Sequence, residues 1–231
     1  MKMKENMTIG EIVALDFRAA SVFKEAGIDF CCGGKMGIDD TCSEKGIDKN
    51  ELIDKLEKLK DTPDTSGHNF VDWDPGFLCD YIVNTHHRYV LKTMPELVVY
   101  TEKIATVHGE RHSELKDVAD LFSQINKELV QHMKNEEEVL FPSIKKVLNS
   151  GSENAKATIL SEISRLSGEH EFAGGAMDKI NVITSNYKVP QDGCNTYKVA
   201  FKLLKGFEDD LHIHVHLENN ILFPKAIALA N

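Results

Sequence analysis

His132-Met-Lys-Asn-Glu136-Glu-Glu-Val-Leu-Phe-Pro142 recurs near the C-terminus as His214-Val-His-Leu-Glu218-Asn-Asn-Ile-Leu-Phe-Pro224. Both stretches read His-x3-Glu-x3-Leu-Phe-Pro. In a helix, residues four apart share a face, one turn above each other. Each stretch therefore points an imidazole and a carboxylate the same way, and two such pairs are how a helical bundle holds two metal ions. The repeat extends upstream, where His87 precedes His132 by 45 residues and His170 precedes His214 by 44. The chain thus reads as two helical hairpins, each with one His on its first helix and His-x3-Glu on its second. An internal repeat of this kind constrains the whole fold.

Working outward, residues 77–231 read as an up-down four-helix bundle, with helices near 77–107, 111–148, 153–185 and 194–228. No stretch reads as a strand, so the expected class is all-α. Packed helices bury positions at alternating spacings of three and four. The second helix then buries Val118, Phe122, Ile125, Leu129, His132, Glu136 and Val139. The third buries Ile159, Ile163, Leu166, His170, Ala173, Met177 and Ile180, and the fourth Ala200, Leu204, Phe207, Leu211, His214, Glu218 and Ile221. Every polar residue on these seams is a His or a Glu. On the first helix the seam through His87 (Val83, Val90, Met94, Leu97) is more apolar than that through His86 (Ile82, Tyr89, Thr93, Glu96), which selects His87. Pro95 lies just beyond and is a candidate kink.

A lone His on an apolar face is usually a satisfied core residue, but burying an unpaired carboxylate costs several kcal/mol. Four His and two Glu interrupting four seams would make a poor dry core. A metal centre compensates all six. The seams carry no thiolate, which disfavours structural zinc and suits iron or manganese. Glu136 and Glu218 are expected to bridge two ions about 3.5–4 Å apart. Hairpin symmetry pairs His87 with His132 on one ion and His170 with His214 on the other. Two carboxylates neutralise only part of the charge on a diferric pair, so an oxo or hydroxo bridge is expected as well. Reduction would leave mostly neutral imidazoles, from which ferrous iron should depart more readily.

Residues 1–62 read as a small helical domain and 63–76 as a linker containing Pro63, Ser66, Gly67, Pro75 and Gly76. Thr8-x-x-Glu11 and Asp48-x-x-Glu51 are capping-box patterns. Ile12, Leu15, Ala19, Val22 and Phe23 form one apolar stripe, Gly27 is a helix C-cap, and Leu52, Leu56 and Leu59 face a core. A net charge of −10 argues against nucleic acid as a partner. No apolar run approaches the ~18 residues of a membrane span. Glu11 and Asp16 interrupt any leader-like apolar segment, so no signal peptide is expected. Five cysteines, an odd count without framework spacing, point to a reducing cytoplasm.

Asp29-Phe-Cys31-Cys32-Gly33-Gly34-Lys35, followed by the two His-x3-Glu-x3-Leu-Phe-Pro blocks, resembles the repair-of-iron-centres (RIC) family, also called YtfE, ScdA or DnrN proteins. The resemblance covers nearly the whole chain. It implies an N-terminal ScdA-type domain before a hemerythrin-like bundle holding a non-haem di-iron centre of two iron ions. The implied ligands are His87, His132, Glu136, His170, His214 and Glu218, the set read from the seams. The implied function is repair of iron–sulfur clusters damaged by nitric oxide or peroxide through donation of iron, with damaged iron–sulfur proteins as clients. Reaction of the centre with nitric oxide or oxygen is also implied. Cys31 and Cys32 would act as redox or iron-relaying thiols, within one chain or across a homodimer. A helix N-terminus following the glycines would favour their thiolates.

Glu128, one turn before His132, and Glu169, beside His170, are candidate outer supports for the ligands. His212 and His216 fall off the seam and are expected to face solvent. Cys42, Cys79 and Cys194 show no pattern and read as structural, while His68, His108 and His112 carry no spacing signal. The competing class is a hemerythrin-like oxygen-binding or redox-sensing module. Such binders favour His-x3-His on one helix, whereas His170 is followed four residues later by Gly174. Iron storage would favour more carboxylates in the order Glu-x2-His.

Overall fold

Thr8 opens the chain's first helix as the capping pattern requires. Its hydroxyl accepts from the Glu11 amide at 3.2 Å, and the Glu11 carboxylate accepts from the Thr8 amide at 2.8 Å. The computed structural model describes residues 7–59 and 69–231; among these it holds helices and turns, with a lone bridge between Thr8 and Gly37 and no strand. The all-α expectation stands. His68 and positions 63–68 of the expected linker lie outside the described residues.

The N-terminal unit comprises α1 (Ile9–Leu15), α2 (Ala19–Glu25), α3 (Ile38–Lys45) and α4 (Lys49–Lys58). The single apolar stripe expected here is divided between two helices, and Leu15 is 55% exposed. Asp16 makes the break, because its carboxylate accepts from the Arg18 amide at 3.2 Å and the Arg18 guanidinium at 2.6 Å. Gly27 follows α2 at φ 67°, and the Ile28 amide reaches back to the Phe23 carbonyl at 2.9 Å. Asp48 caps α4 by accepting from the Asn50 and Glu51 amides.

The bundle begins within the stretch read as linker. Asp74 caps α5 (Pro75–Ile82), whose first residue is the proline. Phe70, just before it, is buried against Trp73, Tyr81 and Phe17. A π-turn (Val83–His87) joins α5 to α6 (Arg88–His108), which runs continuously through Pro95. Then come α7 (Glu114–Asn135), a π-turn (Glu136–Leu140), α8 (Phe141–Ser150) and the unbroken α9 (Glu153–Ile183). The last segment is α10 (Asn195–Leu217), a π-turn (Glu218–Leu222) and α11 (Phe223–Ala230).

Each π-turn carries a candidate ligand and inserts a wider turn, and the first two slip the buried register by one residue, while in the last Ile221 and Leu222 are both buried. Val139 is therefore 37% exposed while Leu140 is buried, and Ile82 is buried in place of the half-buried Val83. In α9, which has no π-turn, every seam residue from Ile159 to Ile180 is buried as expected.

Two apolar layers flank the polar residues. One gathers Met94, Leu97, Phe122, Met177 and Phe207 together with Ile12, Phe23 and Phe30 of the N-terminal unit. The other gathers Leu78, Ile82, Ile144, Leu166 and Leu222. Asn220, in the last π-turn, ties the N-terminal unit down by donating to the Phe30 and Cys31 carbonyls at 3.3 and 3.1 Å. A Cβ at Gly10 would overlap the Asn220 carboxamide, so this close approach requires glycine.

Candidate metal centre

The six seam residues converge between the two layers, each 1% exposed or less. His87, Glu136, His214 and Glu218 form one group whose donor atoms lie within 4.8 Å of one another. His132, Glu136, His170 and Glu218 form a second. Both carboxylates belong to both groups, the arrangement expected of bridging ligands. The imidazole pairing is not the one hairpin symmetry suggested. The donor atoms decide it: α6 packs against both α7 and α10, but α9 packs against α7 and barely touches α10, so His170 is drawn to His132 and His87 is left with His214. His87 thus meets His214, and His132 meets His170 with their Nε2 atoms 3.0 Å apart.

Short carboxylate approaches complete the geometry. Glu136 Oε2 lies 3.3 Å from Nε2 of both His87 and His132. Glu218 reaches His214 Nε2 at 3.0 Å and His170 Nε2 at 3.2 Å. Outer partners hold three rings with Nε2 inward: His87 Nδ1 meets Glu137 at 2.8 Å, His132 Nδ1 meets Glu169 at 2.8 Å, and His170 Nδ1 meets Asn219 at 2.9 Å. Such partners set the tautomer and orientation of a metal-bound imidazole.

The electrostatics favour a cation. Burial pushes His132 and His87 down, but Glu136, joined by Glu218, more than offsets this and lifts both to about 10. Burial and mutual repulsion push Glu136 up, yet the histidines bring it below the ordinary carboxylate range, and Glu218 well below. Burial keeps His214 low. Both oxygens of Glu136, Glu218 Oε2 and His87 Nε2 are buried without a hydrogen-bond partner among the described residues. Leaving such groups unsatisfied costs about 1–3 kcal/mol each. An oxygen- and nitrogen-binding cation placed among them would satisfy all four, so the residues fit a metal of that kind.

His86 is also buried, but its Nδ1 faces Asp210 at 3.0 Å and its ring stacks on His214, outside both groups. Glu169 braces His132 as expected, whereas Glu128 is exposed. Glu137 and Asn219 escaped the sequence reading. They directly follow Glu136 and Glu218, so lengthening the repeat by one position would have found them. His216 was expected in solvent and is buried instead. Phe17 and Phe30 of the N-terminal unit cover it, and burial pushes it down to about 4. Bundle periodicity alone could not reveal that cover.

Asp29 shapes the cysteine loop by accepting from the Cys31, Cys32 and Gly33 amides at 2.8, 3.1 and 2.7 Å. Only a 3-10 turn (Gly33–Lys35) follows, not a long helix. The condition for a favoured thiolate, a helix N-terminus after the glycines, is thus not met, and the Cys31 thiol is pushed well up, first by its hydrogen bond with Cys32 and then by burial. Cys32 Sγ lies 3.5 Å from the His170 carbonyl, within the same chain. Cys42 and Cys79 are buried as expected of structural thiols, while Cys194 is exposed.

Comparison with known proteins matches residues 5–60 to ScdA_N, described as a domain of unknown function, and residues 80–226 to the hemerythrin HHE cation binding domain. The chain is 32% identical to the iron-sulfur cluster repair protein YtfE of Yersinia pestis over 225 residues, covering 96% of this chain and 97% of that protein. It is 32% identical to the iron-sulfur cluster repair protein ScdA of Staphylococcus epidermidis over 226 residues, covering 97% and 99%. No helix among the described residues is long and apolar enough to cross a membrane.

Proposed function

This chain belongs to the hemerythrin HHE cation-binding family, with an ScdA_N domain ahead of the bundle, and we propose that it is a di-iron protein that repairs iron–sulfur clusters damaged by nitrosative or oxidative stress by supplying iron to them. The observation that carries this reading is the pair of buried four-residue groups sharing Glu136 and Glu218. One iron is assigned to His87 and His214 and the other to His132 and His170, with both carboxylates common. Bound iron supplies redox-dependent lability. The chain's residues supply orientation through Glu137, Glu169 and Asn219, and the apolar layers restrict water.

The clients are damaged iron–sulfur proteins in the cytoplasm, and nitric oxide is a small reactant at the centre. The domain division 1–62, 63–76 and 77–231 belongs to the same proposal. Cys31 and Cys32 are assigned to transfer, because their loop rests on the backbone of His170.

Metal analysis with an optical spectrum tests the reading, and about two irons per chain are expected. Reduced protein should lose iron to a ferrous chelator faster than oxidised protein, and should restore a damaged cluster in a purified client. Replacing both Cys31 and Cys32 by Ser should preserve iron content and slow repair. Zinc as the native metal, or equal iron loss in both redox states, would overturn the iron-supply mechanism.

A further inference from the structure

Cys194 stands apart from the other four cysteines in both position and surroundings. It is the exposed N-cap of α10, about 30 Å along that helix from His214. Its Sγ lies 3.2 Å from His108 Nε2. His108 ends α6 and is 4% exposed, and its Nδ1 has no hydrogen-bond partner among the described residues. A ring buried this deeply makes its one side-chain hydrogen bond outward, onto a surface thiol. Tyr197 packs against the ring at 5.3 Å and holds it in place.

We propose that Cys194, hydrogen-bonded to the His108 imidazole, is a site of mixed-disulfide formation with low-molecular-weight disulfides. The thiolate sulfur attacks one sulfur of the disulfide. A new S–S bond forms to Cys194 as the original S–S bond breaks, and the departing thiolate takes up a proton. The Cys194 sulfur is oxidised as the leaving sulfur is reduced, so no further oxidant enters the balance. Exposure gives the incoming disulfide room to approach Cys194, which the buried Cys31, Cys42 and Cys79 lack.

The hydrogen bond with His108, then the Tyr197 and Thr196 amides at the start of α10, hold the Cys194 thiol down at about 7. The nearby charged groups are mostly engaged with each other. His112 and Arg111 pair with Asp192 at 2.9 and 3.4 Å, and Glu114 faces His112 at 3.5 Å. A larger share of the thiol is then ionised at pH 7 than in an ordinary thiol. Lower intrinsic nucleophilicity of the weaker base offsets part of this, leaving a rate advantage that grows as pH falls.

The test treats the full-length, metal-loaded protein with glutathione disulfide and maps the adducts by mass spectrometry across pH. The first adduct is expected on Cys194, with a rate midpoint near pH 7. His108→Asn should move that midpoint up toward about 8.5. Cys194→Ser should remove the first adduct while metal content and the thermal transition stay unchanged. The wild-type profile decides the matter even if the His108 variant folds poorly. A first adduct on Cys32, or a Cys194 midpoint at 8.5 or above, would overturn the proposal.

Discussion

The half of the centre built on His132 and His170 is braced more completely than the half built on His87 and His214. In the first half Glu169 holds His132 and Asn219 holds His170. In the second, Glu137 holds His87, but His214 Nδ1 has no hydrogen-bond partner among the described residues. The positions correspond across the repeat. Glu169 and His86 each precede the first His of their hairpin, and Glu137 and Asn219 each follow the motif Glu. Where Glu169 meets an imidazole, His86 turns to Asp210 and stacks on His214 at 5.5 Å. The repeat therefore duplicates the ligands without duplicating the groups that aim them. Outer-sphere partners typically carry a 10–100-fold effect on metal affinity, so the two halves should hold metal unequally.

The largest expected effect breaks both halves at once. Glu136→Gln or Glu218→Gln removes a carboxylate common to the two groups, and metal content should fall toward zero. A variant that keeps one full equivalent of metal would show that the carboxylates are not shared. Glu169→Ala should weaken binding in its half by about 10–100-fold in chelator competition, while His86→Ala should change affinity by less than about threefold. Equal losses would erase the asymmetry between the halves. Asn219→Ala should weaken binding less than Glu169→Ala, because a neutral amide raises imidazole basicity less than a carboxylate does. The adjacent Asn220→Ala provides the smallest effect. It should leave metal affinity unchanged and lower unfolding free energy by about 1 kcal/mol, read by denaturant titration.

The asymmetry also separates what was legible from what was not. All six convergent residues were readable, because a polar residue on an apolar seam stands out against a spacing of three and four. Choosing His87 over His86 followed from the same logic, since Val90, Met94 and Leu97 line its seam and are buried. Val139 failed because a π-turn begins at Glu136 and shifts every later position by one. His216 failed because its cover comes from Phe17 and Phe30, nearly two hundred residues away in the chain. Cys194 was taken for a structural thiol because its partner, His108, shares no helix or spacing with it.

Amino-acid order alone settles the all-helical class, the two hairpins and the six residues with donor character. Those follow from local periodicity and from a repeat that needs no knowledge of distant contacts. Packing settles the rest. It brings His87 to His214 and His132 to His170, places Glu137, Glu169 and Asn219 behind three of those rings, and seats the cysteine loop on His170. These are relations between helices, fixed by which faces meet when apolar surface leaves water, and no single helix encodes them.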